Sequence, residues 1–198
     1  MPARRTGRSR AASKPRKATR ARKIECVITY MEMNEPPSAP LPPVPLVSRL
    51  ALMRAERPGI PFYRFLYNTV GDAWLWYERR LMDDEALGAV IHDDGVEIYV
   101  LYVGGVPAGY GEIDRRREPE IEIAYLGLMP DFIGRGLGRY LMRWTVDQAW
   151  TYGPERVWAH TCTLDHPRAL SMYQRTGFVP VRQERLRIDD PRLSGTFG

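Results

Sequence analysis

Residues 121–144, IEIAYLGLMPDFIGRGLGRYLMRW, put an alternating apolar run, a proline, three glycines in five positions and a helical apolar pattern in immediate succession. The alternation sends Glu120, Glu122 and Ala124 to one face of a strand and Ile121, Ile123 and Tyr125 to the other. Pro130 ends the strand, because it has no N–H for a ladder. From Leu137 the apolar positions Leu137, Leu141 and Trp144, followed by Gln148, adopt helical spacing. Strand, glycine loop and helix in that order demand a sheet with a helix packed on it.

Gly134, Gly136 and Gly138 remove side chains where the backbone must come close to something. A helix starting there offers unpaired N–H groups and a positive dipole end, which suits an anion; a tight strand-to-helix turn is the other use of such a cluster. The spacing is G-x-G-x-G, so the dinucleotide fingerprint G-x-G-x-x-G is not met. Arg139-Tyr140 follows where a phosphate-binding P-loop needs Lys-Ser/Thr.

The stretch resembles the acetyl-coenzyme A loop of the GNAT superfamily of N-acetyltransferases, Gln/Arg-x-x-Gly-x-Gly/Ala after a strand ending Val-x-Pro. Here the residues are Leu128-Met129-Pro130 and Ile133-Gly134-Arg135-Gly136-Leu137-Gly138, with Ile133 in place of the usual Gln or Arg. A second block, Ala169 to Phe178, matches the family's Ala-x-x-x-Tyr-x-x-x-Gly-Phe through Tyr173, Gly177 and Phe178. The resemblance implies a GNAT-like α/β domain whose mixed, mainly antiparallel sheet is flanked by helices, with acetyl-CoA as cosubstrate. It assigns cofactor contact to Leu126, Leu128 and Met129 on the strand. In the loop and first helical turn it assigns Ile133, Gly134, Arg135, Gly136, Leu137, Gly138 and Arg139, and further on His166, which stands where the family often has Asn.

Charge divides the chain. Residues 1–23 carry ten of the 29 Lys and Arg and no Asp or Glu, which leaves 19 basic against 24 acidic residues beyond them. The pI of 9.4 therefore describes a tail, which cannot bury a core and is expected to be disordered. It is either a solvated leader or a tether to nucleic acid or another anionic surface. The rest, 24–188, suits one domain with a sizeable core, followed by a loose end at 189–198. The longest apolar runs, such as Ile98 to Val103, are strand-length and far short of a membrane span. Two cysteines, Cys26 and Cys162, give no disulfide framework, and a reducing cytoplasm is the default expectation.

Taken in order, Ile24 to Met33 reads as a first strand, and the run from Pro36 to Pro45, six of its ten residues proline, as a stiff connector. The composition of Leu46 to Glu56 predicts a helix, and Pro61 to Val70 a second one with proline in its first turn. Seven aromatics fall between Phe62 and Tyr77, and they suit either a core or a ligand groove. The resemblance makes this region one wall of the acceptor site. Arg79 and Arg80 follow as a solvated pair or as partners of an acidic acceptor. Asp83 can cap a short helix from Asp84 to Ile91. Val96–Val103 and Val106–Asp114 form a hairpin about Gly104-Gly105, and Arg115 to Pro119 is a polar turn into the central strand. Val157 to Cys162 reads as a short buried strand. Asp165 or His166 can cap a helix that begins at Pro167 and ends before Gly177, and Phe178 to Ile188 closes the sheet.

The family's direct attack of an amine on the thioester needs a route for the amine proton and a donor for the departing thiolate. The resemblance points to Glu122 as general base, with Glu112 and then Glu120 as substitutes. A free carboxyl near ~4.3 and an alkylamine near ~10.4 are separated by roughly 8 kcal/mol, so a working base on this strand must be partly buried or linked through water. Tyr173 matches the family's thiolate donor, a phenol near ~10 facing a thiol near ~8.5. His160, Cys162 and His166 lack a fourth metal ligand, and Cys162 with either histidine would make a nucleophile pair or simple packing. The acceptor expected first is a small amine or amino-acid-like metabolite, and second a protein N-terminus or lysine. A CoA-binding sensor without turnover is a third reading, and a homodimer is compatible with all of them.

Overall fold

The computed structural model describes residues 22–45 and 49–193. Among them seven strands form one sheet: β1 (Lys23–Met33), β2 (Leu50–Arg54), β3 (Val96–Val103), β4 (Val106–Arg117), β5 (Glu120–Leu128), β6 (Arg156–Cys162) and β7 (Val179–Asp189). The helices are α1 (Ile60–Gly71), α2 (Asp84–Ile91), α3 (Leu137–Trp150) and α4 (Ala169–Thr176). The strand order is β2-β3-β4-β5-β6-β1-β7, antiparallel throughout except between β5 and β6. This is the mixed, mainly antiparallel α/β sheet that the sequence led us to expect.

Each face of the sheet has its own core. Met142, Val146 and Ala149 of α3 pack on Ile113, Ile121, Ile123, Val157 and Ala159, where Tyr173 and Phe178 join them. On the other face Tyr63, Leu66, Tyr67 and Val70 present one side of α1 to Ile98, Val100 and Tyr110. Pro61 in the first turn starts α1, and α2 begins where Ala86 N–H donates to Asp83 Oδ1 at 2.8 Å.

Three local expectations change. Leu50–Arg54 is a strand, not a helix, because it pairs along β3 from Leu50↔Val103 to Arg54↔Tyr99; residues 46–48 lie outside the described part. Tyr125 does not share a face with Ile123. Glu112 pairs with Tyr125 and Ile113 with Ile123, so Ala124 is an extra residue in β5, and this bulge turns Tyr125 towards α1. The polar turn after the hairpin is shorter than expected, since β4 continues to Arg117.

Most of the basic tail lies outside the described residues, but β1 begins inside it at Lys23, and Asp190 N–H donates to Arg22 O at 2.8 Å. Of the expected loose end, 194–198 lie outside, while Asp190 is buried and its side chain pairs with Arg192 at 2.7 Å. β1 sits between β6 and β7, whereas β2 is at the far edge, so the chain crosses five strand spacings of about 4.8 Å between them. The proline-rich connector makes this crossing over α3: Arg143 donates to Pro37 O and Pro40 O, each at 3.3 Å, and to Asp147 at 2.7 Å. Ten extended residues at about 3.1 Å each cover that distance.

Candidate active site

The parallel pairing of β5 with β6 runs from Glu120↔Arg156 to Ile123↔Ala159 and stops there. The bulge at Ala124 bends β5 away, and a cavity of about 340 Å³ opens between Ala124–Leu128 on one strand and His160–Cys162 on the other. No ladder partner on β6 faces the Ala124–Leu128 backbone, so its edge can bond an amide-bearing chain.

One end of the cavity is the loop into α3. Gly136 is the N-cap with φ 78°, a left-handed conformation that favours glycine, and no side chain caps the helix. The first-turn N–H groups therefore point out unpaired at the positive end of a 14-residue helix. Ile133, Gly134, Gly136, Gly138 and Arg139 line this end, as do Leu126, Leu128 and His166. Arg168 lines it as well and adds a second guanidinium. Met129, Arg135 and Leu137 were expected here and do not line the cavity. Met129 packs in the α1 core, the Arg135 guanidinium lies over the Phe132 ring at 5.2 Å, and Leu137, the first residue of α3, is fully buried. The main-chain amides of Arg135 and Leu137 still belong to the loop.

Asp165 and His166 do not cap α4, whose N-cap is Arg168. Asp165 ties the end of β6 together, accepting from Thr161 Oγ1 at 2.7 Å and Cys162 N at 2.9 Å. Its other oxygen accepts from Trp76 Nε1 at 3.1 Å across the cavity mouth. His166 Nδ1 accepts from Arg168 N–H at 3.0 Å, and its ring meets Trp74 edge-on at 4.9 Å.

The other end holds the groups able to move protons. Tyr173 is buried, packs edge-on against Phe178 at 5.3 Å and lines the cavity, and its hydroxyl has no hydrogen-bond partner among the described residues. Burial pushes its phenol well above the ordinary range, and the charges of Asp165 and Glu122 push the same way. Glu122 does not reach the cavity. His160 stands between, lining it, with Nδ1 3.3 Å from Glu122 Oε1. The bond to Glu122 holds the His160 imidazole above its ordinary value against the opposing effect of burial.

The substitutes for Glu122 are engaged elsewhere. Glu112 is wholly buried between Tyr63 Oη at 2.6 Å and Arg79 Nη2 at 2.8 Å, and Glu120 pairs with Arg156 at 2.9 Å. Arg79 and Arg80 are accordingly no solvated pair, since Arg80 bonds Asp72 and Asn68 O. Burial pushes the Cys162 thiol up to about 12, the opposite of what a nucleophile pair requires.

The aromatic run splits between its two uses: Tyr63 and Tyr67 are core, and Trp74, Trp76 and Tyr77 are cavity wall. A Cβ on Gly127 would lie 2.4 Å from Val70, and this close approach lets α1 and Trp76 sit against β5. Glu78, from the same segment, lines the cavity too. Neither His160 nor Glu78 was a sequence candidate for the proton or the amine. The outward alternation of Trp158, His160 and Cys162 against Val157, Ala159 and Thr161 was the available signal for His160.

A family model described as the acetyltransferase (GNAT) family matches residues 61–178. The chain is 36% identical over 99 residues to a mycothiol acetyltransferase of Streptosporangium roseum, covering 50% of this chain and 25% of that protein. Among solved structures it resembles a GCN5-related N-acetyltransferase from Kribbella flavida, with TM-score 0.56 and 18% identity over 83% of this chain and 58% of the other. It also resembles an aminoglycoside N-acetyltransferase in complex with CoA, with TM-score 0.52 and 18% identity over 70% and 93% of the two chains. The chain thus spans a quarter of its mycothiol acetyltransferase relative.

Proposed function

Since the chain belongs to the GNAT acetyltransferase family, we propose that it is an acetyl-CoA-dependent N-acetyltransferase acting on a small primary amine. The observation that carries this is the parting of β5 from β6 directly in front of the uncapped N-terminus of α3. In this reading the amides of 134–139 hold the diphosphate, with Arg139 and Arg168 adding charge. The free edge of Ala124–Leu128 bonds the pantetheine amides and brings the thioester towards His160 and Tyr173.

His160 takes the proton from the acceptor ammonium, with Glu122 orienting the ring and stabilising the imidazolium. The free amine attacks the acetyl carbon and the C–N bond forms; as the C–S bond breaks, CoA leaves as thiolate and the newly acylated nitrogen gives up its second proton to solvent water. Tyr173 donates a hydrogen bond to that sulfur. Its upward-shifted phenol makes it a donor that keeps its proton through the step, since a buried phenolate beside Asp165 and Glu122 would be costly. The thiolate recovers a proton afterwards from the imidazolium or from water.

Titration calorimetry with acetyl-CoA tests the reading: binding with competition by free CoA is expected, and silence in both titrations would remove it. Binding followed by acetylation of no amine would instead favour a CoA sensor. For the proton route, removing the Glu122 charge lets the His160 imidazole titrate lower. We therefore expect Glu122→Gln to move the acidic limb of the kcat profile to lower pH and to slow turnover about tenfold. A limb that stays in place would show that His160 is not the base.

A further inference from the structure

Beyond β5 and β6 the cavity has two further walls. One is the α1–α2 segment, through Trp74, Trp76 and Tyr77; the other is apolar, from Cys26 and Ile28 of β1 and Leu186 of β7. Two carboxylates line the cavity, Glu78 and Asp165. Asp165 is fully committed, one oxygen to Trp76 and the other to Thr161 and Cys162. Glu78 is not: Oε2 accepts from Tyr67 Oη at 3.3 Å, while Oε1 has no donor, and no Lys or Arg pairs with it among the described residues.

We propose that the acceptor is a primary amine carrying one positive charge on an apolar, ring-sized body, and that Glu78 is the carboxylate that receives its ammonium. The inference rests on the transferase reading above. An ammonium meets the exposed, uncompensated carboxylate of Glu78, with the aromatic side chains of Trp76 and Tyr77 lining the same cavity. The body is received by aromatic and aliphatic side chains that would leave sugar hydroxyls unpaired. A polycation such as an aminoglycoside needs several free carboxylates. In the adjoining groove Glu32 and Glu120 are both taken by Arg156, at 2.7 and 2.9 Å, and Glu122 faces His160.

The test uses the full chain, acetyl-CoA, 2-phenylethylamine and kanamycin, with 2-phenylethanol as a neutral competitor. We expect kcat/KM for 2-phenylethylamine to exceed that for kanamycin by about a hundredfold or more. Glu78→Gln should raise KM for the amine about tenfold with kcat within about twofold, the size of one lost charge-assisted hydrogen bond. Inhibition by 2-phenylethanol should be unchanged in the same variant, because it occupies the apolar wall without the charge. Preference for kanamycin, or an unchanged amine KM in Glu78→Gln, overturns the proposal while acetyl-CoA binding by calorimetry leaves the transferase reading standing. Absence of acetyl-CoA binding by the wild-type chain overturns both.

Discussion

Replacing Tyr173 by phenylalanine is expected to lower kcat about a hundredfold or more while acetyl-CoA binding changes by less than about twofold. The ring is held by packing, edge-on to Phe178 and among Met31, Ile123 and Val157, and phenylalanine keeps all of that. What disappears is a hydroxyl with no hydrogen-bond partner among the described residues. Deleting a hydroxyl that makes no hydrogen bond to the described residues and faces the cavity costs the folded state little, so melting temperature should be near wild type. The loss belongs to the transition state, where charge develops on sulfur, and positioned donors of this kind contribute about two to three orders of magnitude. Because the phenol is pushed far up, no limb of the pH profile between pH 6 and 9 should vanish with it. Steady-state kinetics with calorimetry of acetyl-CoA checks both halves. A variant with full kcat would make Tyr173 a packing residue only.

The parts of this site that were legible in the sequence are those written in one contiguous stretch. The glycine loop and α3 follow from Pro130 to Trp144 alone, and Tyr173 came with the ten-residue block around it. What stayed hidden depends on pairing between distant strands. Nothing in Ile24 to Met33 says that it enters the sheet between β6 and β7, yet that placement brings Cys26 and Ile28 into the cavity wall. His160 meets Glu122 through the register of β5 on β6, across 38 positions, and so the residue assigned as base turns out to stand behind the one that faces the cavity. Leu50–Arg54 departs from the helix its composition predicts for a different reason. Leu, Ala, Met and Arg are good helix formers, but pairing along β3 decided the outcome. The Ala124 bulge had no local signature at all, and it both redirects Tyr125 and begins the opening between the strands.

Arg79→Met is expected to destabilise the fold by about 3–5 kcal/mol near neutral pH, a drop of roughly 10 °C or more in melting temperature. Glu112 is wholly buried on β4, and its charge is held by Arg79 at 2.8 Å and the Tyr63 hydroxyl at 2.6 Å. Even so, burial pushes its carboxyl above the ordinary value. Without the guanidinium that value rises further, so the folded variant binds a proton at higher pH than the unfolded chain does. A group raised in this sense favours folding below its unfolded value near ~4.3 and loses that contribution as pH climbs through the folded value. The deficit of Arg79→Met should therefore shrink as pH is lowered from 8 towards 5, as measured by thermal unfolding against wild type. Arg79→Met with Glu112→Leu should recover much of the loss at all pH values, because no charge is then left buried. A deficit below about 1 kcal/mol, or one independent of pH, would contradict the buried pair. The pair also bears on the cavity: Arg79 follows Trp76, Tyr77 and Glu78 in the chain, and its N–H donates to the Tyr67 hydroxyl at 3.3 Å, the same hydroxyl that donates to Glu78. Loss of Arg79 should thus raise the acceptor KM even at temperatures where the variant is folded, and leave acetyl-CoA binding at the far end of the cavity in place.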